Sequence, residues 1–440
     1  MPDSPAPGLQ RFRRLSKEGA WIVLGQAMAV LGALAGVRLL TELLDPAAYG
    51  ELALGLTAAS LVTQTVLGPL ANGITRFYAP AQERGDLGSY LSAARGLVLA
   101  ATAVIAVMIL LAGAGLLLAG RIEWIAMASA ALIFACLSGY NTILSGIQNA
   151  ARQRAIVALH QGMEFWARFL VAAGLLLWLG ATSAVAMAGF ALGVTLVLGS
   201  QYVFFRKVIH GDGIAADRGN WQQQIWKYSW PISIFGIFTW MQLASDRWAL
   251  GLFATTQEVG LYAVLFQLGY QPMSIATGMV IQFLLPIFYQ RAGDASDKQR
   301  NAGVNTLSWR LTGIALGLTG AVFLGALLFH AQIFRILVAA EYASVSHLLP
   351  WMLLAGGVFA AGQTLALNLM SQMKTQIMIA PKLTTALLGV ALNFAGAYWY
   401  GITGIVIAGM LFSLSYLVWM AVLAKHEEPR FLFHQEKNAS

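Results

Sequence analysis

Five stretches of this chain, residues 20–37, 52–75, 96–120, 124–151 and 402–424, carry no charged side chain. A helix needs about 20 apolar residues to cross the hydrocarbon of a bilayer, and these runs meet that need. A sixth run, 169–205, is longer than one crossing, and Gly180-Ala-Thr-Ser183 divides it into two helices joined by a tight turn. Backbone polar groups in lipid find no water, so a crossing is a helix or part of a closed barrel. Barrel strands alternate apolar and polar residues over about ten positions, and unbroken apolar runs of this length exclude them. The expected class is an all-α polytopic membrane protein. Composition agrees: 58% of the 440 residues are hydrophobic and only 10% are charged, against about 25% charged in a soluble domain.

Charge supplies the orientation. Lys and Arg concentrate in seven segments, residues 11–17, 76–95, 152–154, 206–227, 291–300, 374–382 and 425–437. These alternate with six turns that are short or poor in both, at 39–51, 120–123, 180–183, 251–260, 330–347 and 400–403. Lys and Arg near helix ends stay on the cytoplasmic side, so the alternation implies about twelve transmembrane helices with both termini cytoplasmic. The formal charge of +8 is then an orientation signal, and a nucleic-acid partner is rejected. The N-terminal Arg11-Phe-Arg-Arg14 followed by an apolar run imitates a signal peptide. The run exceeds an h-region of about 7–15 residues and no small-residue cleavage site follows, so it reads as the first crossing. The lone cysteine, Cys136, excludes an internal disulfide or a cysteine metal cluster.

No loop is long enough to be a domain. The largest, 206–227, lies midway and contains the amphipathic Trp221-Gln-Gln-Gln-Ile-Trp226. It reads as a cytoplasmic linker between an N-terminal six-helix lobe, 1–205, and a C-terminal lobe with a cytoplasmic tail, 228–440. The halves echo each other. Arg38-Leu-Leu40 precedes Ala48-Tyr-Gly-Glu-Leu-Ala-Leu54, and Asp246-Arg-Trp248 precedes Glu258-Val-Gly-Leu-Tyr-Ala-Val264, with the glycine expected to open the next helix. Six crossings per half keep both in one orientation, which implies a parallel pseudo-two-fold repeat about the membrane normal.

Charges within crossings are costly and mark function by default. Glu164 and Arg168 stand at i and i+4, the spacing of a self-neutralising pair on one helix face. Asp246 and Arg247 are adjacent and are expected to point in different directions, so at least one faces a bundle interior or water. Arg310 lies early in the ninth crossing, in reach of the interface by snorkelling. Arg38 ends the first crossing near Glu42. The balance leans positive, and Arg is the side chain best shaped for bidentate phosphate contact. Amides recur in the crossings, among them Asn141, Gln148, Gln242, Gln363, Asn368 and Asn393, and are expected to bond between helices. Gly32-x-x-x-Gly36, Gly189-x-x-x-Gly193 and Gly313-x-x-x-Gly317 read as close-packing motifs. Zinc-protease, nucleophile-elbow and P-loop patterns are lacking. No catalytic residues, metal or cofactor are expected, and the short outer turns argue against an enzyme.

Several segments resemble the polysaccharide-repeat-unit flippases of the multidrug/oligosaccharidyl-lipid/polysaccharide exporter superfamily. They are Arg38-Leu-Leu-Thr-Glu-Leu-Leu-Asp-Pro-Ala-Ala-Tyr-Gly50, Gly68-Pro-Leu-Ala-Asn-Gly-Ile-Thr-Arg-Phe77, Leu144-Ser-Gly-Ile-Gln148 with Arg152, Asp246-Arg247 before Val259-Gly-Leu-Tyr262, and Asn393 with Gly401-Ile-Thr-Gly404. The resemblance covers nearly the whole chain. It implies two six-helix lobes around a cavity that opens to alternate sides. The implied cargo is an oligosaccharide on undecaprenyl pyrophosphate, moved across the bacterial inner membrane for O-antigen, capsule or exopolysaccharide. Polysaccharide polymerase and other assembly proteins are the implied partners. By motif position Arg38, Arg76 and the Asp246–Arg247 pair carry over to the substrate cavity. Arg168 and Arg310 join them on the cost of burial alone. Glu164 and Asp246 are candidate ion-coupling acids. Peptidoglycan-precursor flippases usually have fourteen crossings and fit less well. Multidrug extruders often carry an acidic site in the first crossing, which this chain lacks, so an ion-coupled exporter of small organic molecules stands second.

Overall fold

A computed structural model describes residues 7–208, 218–293, 297–372 and 376–426, and the regular structure among them is helical throughout. Nine helical segments are long and apolar enough to cross a membrane. The last of these, Ala380–Lys425, is two helices, because Gly401 breaks it at φ 53°, ψ −133°. Helix α8 (Arg218–Phe253) carries Lys227, Asp246 and Arg247, and α9 (Thr256–Leu268), only 13 residues long, continues into α10 (Tyr270–Ala292) as one further crossing. With them the multi-pass membrane fold has twelve crossings. The chain forms two compact units, Met1–Trp240 and Met241–Ser440, which divide inside α8. The expected linker, 206–227, falls partly outside the described residues, and from Arg218 onward it is already helix.

The first unit contains α1 (Pro7–Leu43), α2 (Pro46–Val62), a π-helical turn (Thr63–Leu67), α3 (Gly68–Glu83), α4 (Leu87–Leu118), α5 (Glu123–Ala150), α6 (Arg154–Leu179) and α7 (Ser183–Val208). Helix α6 packs between α1 and α7, and α5 packs on α2, α3, α4 and α7. Small residues set those approaches. A Cβ on Gly193 would sit 2.5 Å from the Arg168 Cα, and one on Gly189 2.3 Å from the Ala172 Cα, so α6 and α7 touch backbone to backbone. Gly32 and Gly36 on α1 likewise face Trp166 and Phe169 on α6. Both pairs are close-packing sites as expected. Gly313 and Gly317 are not, because a Cβ on either meets open space. The turn at Gly180 (φ 108°) joins α6 to α7 where the sequence placed it.

The second unit contains the remainder of α8, then α9, α10, α11 (Lys298–Leu337), a 3₁₀ segment (Ala340–Leu348), α12 (Leu349–Ser371) and α13 (Ile379–His426). Helix α12 is its axis and packs on α10, α11 and α13. Leu365, Leu369, Tyr416 and Met420 form one core cluster. Amides bond across the helices as expected. Asn368 Nδ2 donates to Asn305 Oδ1 at 2.8 Å, and in the first unit Gln201 Nε2 donates to Gln148 Oε1 at 2.8 Å.

The internal echo is visible in the second crossing of each unit. Asp45 caps α2 by accepting from the Ala48 N–H at 2.7 Å, and Thr255 caps α9 by accepting from the Glu258 N–H at 3.2 Å. Each cap stands five residues before the shared glycine, Gly50 or Gly260. The cap therefore opens the helix and the glycine lies one turn inside it, a small correction to the expected start. Both crossings then lose regularity, at the π-helical turn and at Gly269 (φ −96°, ψ −67°) respectively.

Candidate functional site

In the second unit the charge sits where α8 faces α9. Asp246 and Arg247 are adjacent, and their side chains are only 9% and 12% exposed. One Asp246 carboxylate oxygen accepts from the Arg247 backbone N–H at 2.7 Å and lies 3.4 Å from its Nη1. The other accepts from the Tyr262 hydroxyl on α9 at 2.7 Å. Nη1 of Arg247 also donates to the Leu243 carbonyl at 3.0 Å, and the guanidinium lies 4.3 Å from the Phe266 ring centroid. The expectation that the two side chains diverge is thus corrected. A short carboxylate bonds back to the next residue's N–H, and the long Arg side chain curls onto it and onto an aromatic face. A cavity of about 60 Å³ opens onto Asp246, Tyr262, Phe266, Tyr270, Gln242 and Asn393. That volume holds a few water molecules and excludes a sugar.

In the first unit the corresponding chemistry lies between α5, α6 and α7. Glu164 accepts from Asn141 Nδ2 at 2.9 Å and from the Ser138 hydroxyl at 3.4 Å, both on α5. Arg168, one turn along α6, does not come within 4 Å of that carboxylate. Its guanidinium instead lies 4.1 Å from the Phe165 ring centroid, 5.2 Å from Phe169 and 5.7 Å from Phe190 on α7. Arg168 Nε and Asn141 Oδ1 are buried with no hydrogen-bond partner among the described residues. Unsatisfied polar atoms in an apolar bundle are costly. This cluster therefore retains unmatched buried atoms, whereas both Asp246 carboxylate oxygens have partners.

The other expected site residues fall outside both clusters. Arg38 pairs with Glu42 one turn on, and both side chains are nearly half exposed. Arg76 on α3 and Arg310 on α11 are exposed. Tyr262 belongs to the Val259-Gly-Leu-Tyr262 motif, but nothing in the sequence bonds it to Asp246, and Phe266 carries no signal; only the fold sets them against Asp246 and Arg247. Asn141 stands out in the sequence as an amide in a crossing, but nothing there pairs it with Glu164, 23 residues on.

No curated protein matches the chain's sequence significantly. Among solved structures, the lipid II flippase MurJ in an inward closed conformation is 11% identical, with a TM-score of 0.71 over 93% of this chain and 87% of that one. An inward-facing multidrug resistance MATE family transporter of the MOP superfamily is 14% identical, with a TM-score of 0.64 over 93% and 95%. A MOP superfamily transporter from Pyrococcus furiosus is 15% identical, with a TM-score of 0.57 over 92% and 94%. At these identities the likeness is one of fold. Residues 7–291 match the family model described as polysaccharide biosynthesis protein, which is more than half of the chain, and the protein belongs to that family.

Proposed function

We propose that this protein is a flippase that moves an undecaprenyl-pyrophosphate-linked oligosaccharide repeat unit across the bacterial inner membrane by alternating access. Surface polysaccharide (O-antigen, capsule or exopolysaccharide) is the end product. The observation that carries the reading is Arg168. A guanidinium held by ring faces in a membrane helix, with a buried N–H left unmatched, is built to receive an anion that comes and goes. Pyrophosphate is such an anion, and Arg meets it through a planar fork of donors. Family membership supplies the class of pathway. Arg38, Arg76 and Arg310, on exposed helix faces, and Arg247, inside its cluster, complete the proposed cationic route. Glu164 and Asp246 are the proposed coupling acids. The working parts are the lobes 1–205 and 228–440, joined by 206–227, with both termini cytoplasmic. The protein moves its substrate without transforming it, and hands the product to polymerase and assembly proteins on the far side.

Deletion in the source bacterium followed by lipid extraction tests this. The expected result is accumulation of an undecaprenyl-pyrophosphate oligosaccharide facing the cytoplasm, with loss of the surface polymer. Unchanged lipid-linked glycans and polymer, with no redundant flippase present, would overturn it. A second reading, an ion-coupled exporter of small organic molecules, rests on the Asp246 cavity. The space of about 60 Å³ beside the Asp246 carboxylate takes a proton or a small hydrated ion, so in this reading Asp246 is the coupling acid and the organic cargo binds elsewhere. Export of such compounds by cells overproducing the protein, lost in Asp246→Asn, would place that reading first.

A further inference from the structure

Outside both charge clusters, the first unit has an open groove of about 660 Å³, within the range of about 300–1,000 Å³ typical of ligand sites. Its floor is one face of α5, including Tyr140 and Ile147. Its walls are α4, including Arg95 and Val98, and α7, including Gly199 and Phe205. The lined stretch of α7 runs from Thr195 to Phe205, about 15 Å at 1.5 Å per residue, or half of the hydrocarbon thickness of about 30 Å. It occupies the first part of α4 and the last parts of α5 and α7, next to the basic segments 76–95, 152–154 and 206–227. Arg95 is its one charged lining residue. It is exposed and has no hydrogen bond or ion pair with any described residue. The same holds for Arg206, which follows Phe205 directly.

We propose that this groove holds the isoprenoid chain of a polyprenyl phosphate lipid, with Arg95 meeting the phosphate. The groove lies over α5 between α4 and α7 and has one cation among its lining residues. That suits one chain under one phosphate, whereas a phospholipid brings two chains per phosphate. A lining that is mostly apolar, with the hydroxyls of Tyr140, Thr195 and Tyr202 but no carboxylate, suits the chain, and the cation suits the head. The site rests on the flippase reading for its biological meaning and would be the place where the carrier lipid's tail docks. Gly199 makes it testable, because a Cβ there meets no atom. Larger side chains enter the groove without displacing protein, and they replace a helix-interior glycine, which favours the helix.

The experiment is native mass spectrometry of the full-length protein in detergent, titrated with undecaprenyl phosphate or phosphatidylglycerol. Wild type is expected to bind the former about tenfold more tightly, a difference readily resolved. Gly199→Trp should erase that preference, Gly199→Ala should keep it, and Arg95→Gln should weaken it while leaving uncharged polyprenol unaffected. Equal binding of the two lipids by wild type, or undiminished binding by Gly199→Trp and Arg95→Gln, would overturn the proposal. Failure of the flippase reading is separable. Tight binding sensitive to Gly199→Trp, together with unchanged lipid-linked glycans after deletion, would leave the groove standing and remove the cargo.

Discussion

Each compact unit has a neighbouring acidic and basic side chain in a membrane helix, Glu164 and Arg168 in the first and Asp246 and Arg247 in the second, and the two resolve the cost differently. In the second unit Asp246 and Arg247 neutralise each other at 3.4 Å, and Tyr262 and the Leu243 carbonyl take up further donors and acceptors. In the first, Glu164 is taken by Asn141 and Ser138, and Arg168 by the ring of Phe165. Sequence spacing suggested the reverse, since i,i+4 charges pair on a helix and neighbours do not face each other. The outcome turns on which partners the adjacent helices bring. The α5 amide and hydroxyl take Glu164, and the Phe165 and Phe169 rings of α6 itself, with Phe190 of α7 farther off, take Arg168, so the intrahelical pair does not close. Arg247 also meets a ring, Phe266 at 4.3 Å, yet its Nη1 still reaches the adjacent Asp246 carboxylate and the Leu243 carbonyl. A closed cluster stabilises a fold, while an open one leaves capacity for a ligand. The first unit is therefore the expected anion site and the second the expected anchor or proton site.

The largest effect should come from breaking the closed cluster. Asp246→Ala strands the Arg247 guanidinium among apolar neighbours. Removing one partner of a buried pair costs about 3–5 kcal/mol, enough to lower the yield of folded protein and the melting temperature in detergent sharply. Replacing both, as Asp246→Leu with Arg247→Leu, should recover most of that stability. A double variant no more stable than Asp246→Ala would show that the pair is not a mutual neutraliser.

The open cluster should behave in the opposite way. Arg168→Leu loses ring contacts worth about 0.5–2 kcal/mol and relieves an unmatched N–H, so the melting temperature should barely move. Transport should fall about a hundredfold, equivalent to about 2.7 kcal/mol of lost anion binding. Measured as surface polymer in a complementation assay, this separates the two units: one variant unfolds, the other folds and fails. Intact transport in Glu164→Gln with Arg168→Leu would reduce the first cluster to packing.

Much of this was legible in residues. Charge-free runs and the alternation of basic segments gave the helices and their number, and the Gly180-Ala-Thr-Ser183 turn fell where read. The amides at Asn368 and Gln148 bonded across helices because a buried amide has few other choices. Spacing was a weaker guide wherever the answer depended on a third helix. Gly313 and Gly317 have the motif of a contact face, but a Cβ on either meets no atom of the described residues. Arg38 matched a family motif, but its partner is Glu42 on the same exposed face.

A smaller effect isolates the hydroxyl that closes the second cluster. Tyr262→Phe removes the 2.7 Å bond to Asp246 and leaves the Arg247 contacts in place. A hydrogen bond to a charged group contributes about 1.5–3 kcal/mol, and the surviving partners put this case at the low end. Thermal melts should show a loss smaller than that of Asp246→Ala. A loss equal to it would mean that Tyr262, not Arg247, holds the carboxylate.

The smallest effect supplies a control outside the membrane spans. Asp86, in the turn between α3 and α4, accepts from the Trp221 indole N–H at 2.7 Å. The Ser89 side chain beside it and that indole hold its carboxyl below the usual carboxylate range, against a small opposing effect of burial. A depressed carboxylate lends stability that is complete above the unfolded value of about 3.9 and is lost as pH falls through the folded value. Water screens this contact, so its charge should contribute less than about 1 kcal/mol. Wild type should therefore melt slightly above Asp86→Asn at neutral pH, and the gap should close below about pH 4. A gap as large as that of Tyr262→Phe, or one that persists at low pH, would mean that exposure does not set the difference. The contrast between closed and open buried clusters would then need another cause.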